Sequence, residues 1–513
     1  MAFRKLFLEF GPKPVTSAIF LDFFLDKKEK VFYVSMTNST IGENVMPGKN
    51  KKKVWSSKKY EPPSKIRLRK HLNADALFMA IHREFEKIPE FRTGDIKISI
   101  PDALMSAFAM FSLKVPSLLN FDEKRKDEAE CQNLKSIYGI ENIPSDSRMR
   151  EICDEIDPKK YLSPIFKVIF RHVQRGKELE PMVFYKGCYL LNLDGTGFFS
   201  SKKVNAPYCM KKVNKKTGEI TYYLQMLGAA IVHPDFKEVI PLCPEMIIKQ
   251  DGTTKNDCER NAAKRFFEQL RKDHPHLPFI INEDALSPNA PHIKDMKKYK
   301  LHYILGVKPG DHKFLFGFVK DAVQDGRAIE FAIEDKDDPD ITHRFCILNE
   351  VPLNKSNQEE VVNFIEYWQY SKKTNKTSYH NTWVTDFTLT KENAYIIMRG
   401  GRARWKIENE TFNTLKNQGY NLGHNYGLGE KHLATVFTML MMLAFLVDQT
   451  QQLCCALFQS VWKKSGSKIS LWESIRSCFK CFLIESMEML YRALLYGFKA
   501  QPLKQLIDAY DTS

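Results

Sequence analysis

The chain has 513 residues, more than one hydrophobic core usually serves, so two to four domains are expected. Hydrophobic residues make up 43% and charged residues 27%, which excludes wholesale disorder, a collagen-like fibre and a small disulfide scaffold. With 77 Lys and Arg against 62 Asp and Glu, the net charge is +15 and the pI is near 9.1. This excess predicts a polyanionic partner, nucleic acid ahead of an anionic membrane surface.

Membrane insertion and secretion are not expected. The longest uncharged run of the apolar C-terminal part, Leu433 to Val447, has 15 residues, whereas a spanning helix needs about 20, so it predicts a buried core helix. Glu9 and Asp22 interrupt the short apolar stretches near the N-terminus, which argues against a signal peptide. The 11 cysteines, an odd number spread along the chain, favour reduced thiols in a cytoplasmic compartment over a disulfide framework.

The N-terminal third divides into two predicted segments. Residues 1–72 include a basic run from Lys49 to Lys70, typical of a solvated linker, with an arm that follows DNA as the alternative. Residues 73–181 predict helices, the first capped by Asn73 and the next opened by Pro101. This helical segment is a DNA-binding region or a scaffold bundle, and the sequence leaves both open.

The pattern changes to strands at Met182. Strands are predicted around Val183–Tyr185, Tyr189–Leu193, Ile220–Ile231, Val239–Ile248, Phe279–Ile281 and His302–Val307, with a helix from about Asn256 to Arg271. This order indicates an α/β fold with a mixed sheet. The remaining predicted segments are the first part of the core (182–309), a β-rich segment (310–390), a helix with an inward glutamate (391–430) and a helical C-terminal region (431–513).

Two aspartates follow apolar strands. Asp194 ends the run Leu190–Leu193, although Asp-Gly is also a hairpin signal. Asp284 follows the strand at Phe279, with the neighbouring Glu283 pointing to the opposite face. Carboxylates at strand ends are often catalytic, and they also often cap loops.

Glu408 is the third acid that stands out. At 100° per residue, Trp405 and Phe412 lie within about 60° of it on an apolar helix face, whereas Glu410 falls about 200° away, on the solvent side. A carboxylate among core residues must be paired or bound to a cation. Arg404, one turn earlier, is the structural alternative to a metal.

These three carboxylates would suit two-metal phosphoryl transfer. Carboxylates are hard oxygen ligands suited to Mg²⁺, and two such ions can activate the attacking oxygen and stabilise the leaving one. With the basic charge, the substrate would be a DNA or RNA phosphodiester.

The segment Arg404-Trp405-x-Ile407-Glu408-x-x-x-Phe412-x-x-Leu415-Lys416 resembles the glutamate signature of DDE insertion-sequence transposases of the IS-four type. That family has a Tyr-x2-Arg-x3-Glu-x6-Lys pattern on a ribonuclease-H-like fold, and Arg404 and Glu408 match the Arg-x3-Glu spacing. Gly401 stands where the pattern has tyrosine, and Leu415 where it has lysine, with Lys416 one place later. Leu193-Asp194-Gly195-Thr196 resembles the first-aspartate motif, and Glu283-Asp284-Ala285-Leu286 the second.

The resemblance implies a ribonuclease-H-like mixed sheet split by a β-rich insertion, with Asp194, Asp284 and Glu408 as catalytic residues that hold two Mg²⁺ ions, or Mn²⁺ in their place. Supporting or DNA-contacting roles fall on Arg404, Trp405 and Lys416. The implied activity is cut-and-paste DNA transposition by a homodimer on terminal inverted repeats and target DNA, in the bacterial cytoplasm at the nucleoid. A structure-selective nuclease of the same fold and a catalytically silent domesticated DNA-binding protein are the alternatives.

Overall fold

The computed structural model describes residues 63–249, 256–284 and 288–498, which belong to one folded unit that spans residues 60–513. Most of the predicted segment 1–72, including most of its basic run, lies outside the described residues. The same is true of Ala285 and Leu286 in the second-aspartate motif.

From residue 63, where the described part begins, seven helices precede the sheet; the sequence predicts helices over residues 73–181. Their starts follow ordinary capping chemistry: the Asn73 side chain accepts a hydrogen bond of 2.9 Å from Ala76 N, and Ser99 caps the next helix, with Pro101 in its first turn. The helices are α1 (Ala74–Phe85), α2 (Ile100–Ser112), α3 (Leu118–Lys124), α4 (Glu128–Tyr138), α5 (Asp146–Asp154), α6 (Pro158–Tyr161) and α7 (Ser163–Arg175), followed by a 3₁₀ turn at Glu180–Met182.

The middle of the chain forms a mixed sheet of 12 strands with three accompanying helices, which confirms the α/β class. The strands are β1 (Val183–Tyr185), β2 (Cys188–Ser201), β3 (Met210–Val213), β4 (Ile220–Val232), β5 (Ile240–Pro241), β6 (Glu245–Ile247), β7 (Phe279–Glu283), β8 (His302–Gly306), β9 (Ile329–Glu334), β10 (Ile341–Asn354), β11 (Asn357–Ser371) and β12 (Lys376–Thr385). The helices are α8 (Glu259–Asp273), α9 (Ala290–Lys298) and α10 (Lys313–Gln324).

The centre of the sheet is where its strand directions change. β2 pairs antiparallel with β4 on one side and parallel with β7 on the other, and β7 pairs parallel with β8. β12 then pairs antiparallel with β8, so that the strands of residues 310–390 extend this sheet. The predicted β-rich segment also contains the helix α10. Phe314, Phe316 and Phe318 occupy every second position there, a spacing typical of a strand, although the segment is helical.

Helices return after the sheet, again as predicted. The helix α13 (Leu433–Cys454) is buried along almost its whole length. It is the one helix of the described part long and apolar enough to cross a membrane, and its apolar window is entirely buried inside the protein. The C-terminal elements are α11 (Lys391–Arg402), a π-helix (Ile407–Phe412), α12 (Asn413–Asn417), α13 (Leu433–Cys454), α14 (Ala456–Ser465), α15 (Lys468–Cys481) and α16 (Met487–Tyr496).

Candidate active site

The two predicted aspartates lie side by side at the centre of the sheet. The parallel pairing of β2 with β7 matches Asn192 with Asn282; Asp194 is two residues further along β2, and Asp284 is the first residue after β7. Both aspartates line one cleft, and the charge of Asp284 acts on Asp194. Asp194 lies inside the long strand β2, opposite Gly228, because β2 continues as the partner of β4 after its pairing with β7 ends. The Asp194-Gly195 pair therefore forms no hairpin.

Arg404 joins the first aspartate to the predicted glutamate. Its Nη1 atom donates a hydrogen bond of 3.1 Å to Asp194 Oδ2, and its Nη2 atom donates one of 2.6 Å to Glu408 Oε1. The structural alternative to a metal is thus realised as an ion pair. Burial opposes the charge of Arg404, but the hydrogen bond to Glu408 and the charges of the acids outweigh it and raise the pKa of the guanidinium.

Asp194 is a weaker acid than an ordinary aspartate. Burial first, and then the negative charges of Glu408 and Asp284, raise the pKa of its carboxyl to about 6 against the attraction of Arg404. Shifted carboxyl pKa values are typical of functional sites, although ion-pair networks also cause them.

A cleft of about 360 Å³ opens beside the aspartates, and three further acids line it, Asp257, Glu259 and Glu283. The carboxylate of Glu259, at the start of α8, lies where a side chain on residue 195 would project, so Gly195 leaves room for it. Desolvation, followed by the charges of Asp284 and Glu283, raises the pKa of Glu259. Glu283 accepts a hydrogen bond of 2.6 Å from His292 Nε2, and both side chains are buried.

The segment around Glu408 differs from the predicted α-helix. Residues Ile407–Phe412 form a π-helix, whose i to i+5 hydrogen bonds change the angular positions expected at 100° per residue. The Glu408 side chain is 50% exposed and Trp405 is 42% exposed, so the glutamate does not lie in the middle of an apolar face. The negative charge of Glu410 stabilises the charged form of Lys406, whereas the negative charge of Glu408 raises the pKa of Asp194.

The donor chemistry of this site suits a hard divalent cation only in part. Asp194 and Asp284 supply adjacent carboxylates, but Arg404 holds Glu408 in an ion pair. Within the described residues, no group of three or more His, Cys, Asp or Glu side chains converges in a way that could hold a metal ion. A third carboxylate ligand would require Glu408 to leave its pair with Arg404.

Comparison with known proteins identifies no family for this chain. No protein-family model matches the chain, and no curated protein matches it. The site is therefore interpreted from its own geometry.

Sequence reasoning did not identify three residues of this site, Glu259, Asn192 and Asn282, as site residues. Glu259 is one acid among the charged residues that open an amphipathic helix. Asn192 and Asn282 occupy strand positions that the pattern reserves for apolar side chains, and this polar interruption two residues before each aspartate is the signal that could have identified them. Of the other predicted supporting residues, Lys416 lies exposed near the end of α12.

Proposed function

We propose that the protein is a DDE-type DNA transposase that excises and inserts an insertion sequence by phosphodiester cleavage and strand transfer. The observation that carries the proposal is the placement of Asp194 in β2 beside Asp284, which directly follows the parallel strand β7, with Arg404 connecting Asp194 to Glu408. Three acids predicted from motifs up to 214 residues apart therefore lie near one another at the centre of the sheet.

The sheet supports a ribonuclease-H-like core. An antiparallel unit, β4 with β2, continues into the parallel strands β7 and β8; Asp194 lies in β2, and Asp284 directly follows β7. The strands of residues 310–390 lie in sequence between Asp284 and Glu408, as expected of an insertion that splits the core.

In this proposal each side chain has a defined task. Asp194 and Asp284 would hold Mg²⁺, with Glu408 as a third ligand if it left its pair with Arg404. Such ions would supply charge neutralisation at the scissile phosphate and a more acidic attacking oxygen. Arg404, once free of Glu408, is left beside Asp194 with a guanidinium that suits a phosphate oxygen.

DNA is the expected partner because of the charge of +15, and a homodimer on paired transposon ends is part of the proposal. Such a protein would act in the cytoplasm, at the nucleoid.

The proposal is tested by Asp194→Asn, assayed for Mg²⁺-dependent cleavage of DNA that contains the terminal repeats flanking the gene. Asparagine replaces the carboxyl without its charge, and burial already disfavours that charge, so folding should be preserved while cleavage is lost. The matched control is Asp325→Asn, an exposed aspartate paired only with Arg327 in the loop after α10. Wild-type cleavage by Asp194→Asn would contradict the proposal.

A catalytically silent DNA-binding protein is the second candidate. The ion pair between Arg404 and Glu408 favours it, because a guanidinium beside two acids satisfies them without a metal. Selective binding of terminal repeats without cleavage in Mg²⁺ or Mn²⁺ would favour this candidate. Cleavage without joining of a free 3′ end would favour a nuclease instead.

A further inference from the structure

Two buried asparagines lie directly behind the aspartates. Asn192 in β2 and Asn282 in β7 face each other in register, and both are fully buried. Since residues two apart share a face of a strand, the amide of Asn192 lies on the same face as the carboxylate of Asp194.

These amides bind the C-terminal end of α11. Asn282 Nδ2 donates hydrogen bonds to Gly400 O at 2.8 Å and to Asn192 Oδ1 at 3.1 Å. Asn192 Nδ2 donates to Ala403 O at 2.8 Å and to Arg404 O at 3.3 Å. Each of these carbonyl oxygens also accepts a backbone hydrogen bond, Gly400 O from Ala403 N, Ala403 O from Lys406 N and Arg404 O from Ile407 N. The asparagines therefore add a second, directional hydrogen bond to each carbonyl and tie it to the sheet.

The helix approaches the sheet closely at this point because residues 400 and 401 are glycines. A Cβ atom on Gly400 would stand 2.7 Å from a ring carbon of Phe184, and one on Gly401 would stand 2.5 Å from Trp383 Nε1. Close packing without side chains gives van der Waals contact but no defined position along the helix. The directional hydrogen bonds from the asparagines fix that position.

Stability alone does not account for this arrangement. Within the described residues, Asn282 Oδ1 is buried without a hydrogen-bond partner, and a buried acceptor of this kind costs about 1–3 kcal/mol. An apolar side chain at this position would avoid that cost. The amide is therefore retained at a cost in stability, in a place where it sets the distance between two parts of the candidate site.

We propose that Asn192 and Asn282 are positioning residues that hold Arg404 and Glu408 at the correct distance from the two aspartates. This inference rests on the proposed function. The strands β2 and β7, which lead to the two aspartates, hold the helix end that leads into Arg404 through three hydrogen bonds, and a fourth joins the two asparagines. A shift of this helix end would separate Arg404 from Asp194.

A buried asparagine elsewhere provides a matched control. Asn133 in α4 is also fully buried, and its Nδ2 atom donates to Phe479 O and Phe482 O, both at 2.7 Å, while its Oδ1 atom accepts from Ile484 N. Its partners belong to α15 and the segment after it, outside the sheet. Asn133→Leu therefore removes the same kind of bonds without touching the site.

The first experiment compares Asn192→Leu, Asn282→Leu and Asn133→Leu in single-turnover DNA cleavage and in urea unfolding. For the two site variants we expect the cleavage rate to fall on the order of tenfold to a hundredfold, because a misplacement of about 1 Å can cost that much. Their DNA affinity should be unchanged. For Asn133→Leu we expect lower stability and a normal cleavage rate. Asn192→Ser is the second variant if leucine prevents folding.

The second experiment does not depend on activity. The coupling between Arg404→Ala and Asp194→Asn in thermal unfolding is measured in wild type, Asn192→Leu and Asn133→Leu by double-mutant cycles. The coupling should be lost in Asn192→Leu and kept in Asn133→Leu. Equal coupling in all three would overturn the positioning role, as would normal cleavage by both site variants. If the wild type cleaves no DNA, the proposed function fails, and this coupling alone decides the role of the asparagines.

Discussion

Two glutamates of the π-helix offer the clearest distinction at the scale of single residues. Glu408 accepts a hydrogen bond from Arg404, which also donates one to Asp194. The negative charge of Glu410 instead stabilises the charged form of Lys406. We predict that Glu408→Gln abolishes DNA cleavage with little change in DNA binding, and that Glu410→Gln retains most activity. Cleavage and binding are measured on the same DNA that contains the terminal repeats.

The pair of variants is its own control, because both substitutions remove one charge from the same helix. A lower affinity for DNA in both would mean that the charge of the helix, and not a specific carboxylate, matters. An active Glu408→Gln enzyme would contradict the assignment.

The sequence could predict which acids come together but not which groups balance their charges and accept or donate their hydrogen bonds. Asp194 and Asp284 follow apolar strands, and strand register then places them side by side. The π-helix is a property of backbone hydrogen bonding over six residues, which a 100° projection does not contain, so the predicted burial of Glu408 and Trp405 was wrong. Glu259 reaches the site only through the packing of α8 against Gly195, a tertiary contact without a local pattern.

At the scale of elements, the central helix α13 depends on a cap from a distant part of the chain. Its own N-cap residue, His432, makes no side-chain cap hydrogen bond. The carboxylate of Asp154, at the end of α5, instead accepts hydrogen bonds from the backbone N–H groups of the four residues Glu430 to Leu433. An acidic group at a helix N-terminus satisfies unpaired donors and interacts favourably with the helix dipole.

We predict that Asp154→Ala lowers the free energy of unfolding by about 2 kcal/mol, because four backbone donors at the start of α13 lose their acceptor at once. Urea unfolding at pH 7 measures it. The control is Asp127→Ala, where the side chain caps the outer helix α4 through Glu130 N alone, and the expected loss is about 1 kcal/mol. Equal losses in the two variants would mean that the cap on α13 is no more than an ordinary local cap.

The same carboxyl predicts a pH dependence. Burial tends to raise the pKa of Asp154, but the four backbone hydrogen bonds outweigh burial and lower it. A lowered folded-state pKa means that the stabilisation is present above the unfolded value of about 3.9 and is lost as the pH falls through the lowered value. Asp154→Asn should therefore lose less stability than wild type, measured as the urea midpoint, as the pH falls below about 3.9.

Most elements were predictable because their sequence patterns are local. The strands β1, β4 and β8 lie within one residue of their predicted ranges. The predicted strand Val239–Ile248 is divided into β5 and β6, since Pro241 and Pro244 lack the N–H group that a continuous ladder needs. Pairing of distant strands, such as β12 with β8, depends on the whole sheet and leaves no trace in either strand's own sequence.

At the scale of the whole molecule, a buried ion pair joins the N-terminal helices to the C-terminal ones. Lys114, just after α2, donates a hydrogen bond of 2.5 Å to Asp448 in α13, 334 residues away. Tyr420 donates a second hydrogen bond to the same carboxylate, and the Lys114 ammonium lies over the Tyr420 ring at 3.9 Å. Burial lowers the pKa of Lys114, and Asp448 opposes this effect by stabilising the charged form.

We predict that Lys114→Met lowers the free energy of unfolding by about 3–5 kcal/mol, because it leaves a buried carboxylate without its cation. The double variant Lys114→Met/Asp448→Leu should recover part of that loss, since it removes both charges. An exposed pair, Lys431 with Glu155, provides the comparison, and Lys431→Met should change the free energy of unfolding far less than Lys114→Met does. A small loss in Lys114→Met would mean that the two helical regions do not depend on this pair.

This shared core also determines how DNA binding by the N-terminal part is tested. Deleting residues 1–180 would remove α2, which is buried against α13, so the truncated chain would lose its core as well as its basic residues. Substitutions at exposed positions avoid that problem. Lys65, Arg67 and Lys70 lie exposed at the end of the basic run, before α1.

If these three side chains contact phosphates, neutralising them as Lys65→Gln, Arg67→Gln and Lys70→Gln should flatten the dependence of DNA affinity on salt. Each phosphate contact adds a slope of about −0.9 to the logarithmic salt plot, so the triple variant should lose up to about 2.7. The charge-preserving set Lys65→Arg, Arg67→Lys and Lys70→Arg should keep the wild-type slope, because counterion release depends on charge and not on the shape of the side chain. The salt slopes of the wild type and the two triple variants are compared from DNA affinities measured by fluorescence anisotropy between low and moderate salt. Equal slopes in the two triple variants would assign the basic run to the solvated linker that its composition also allows.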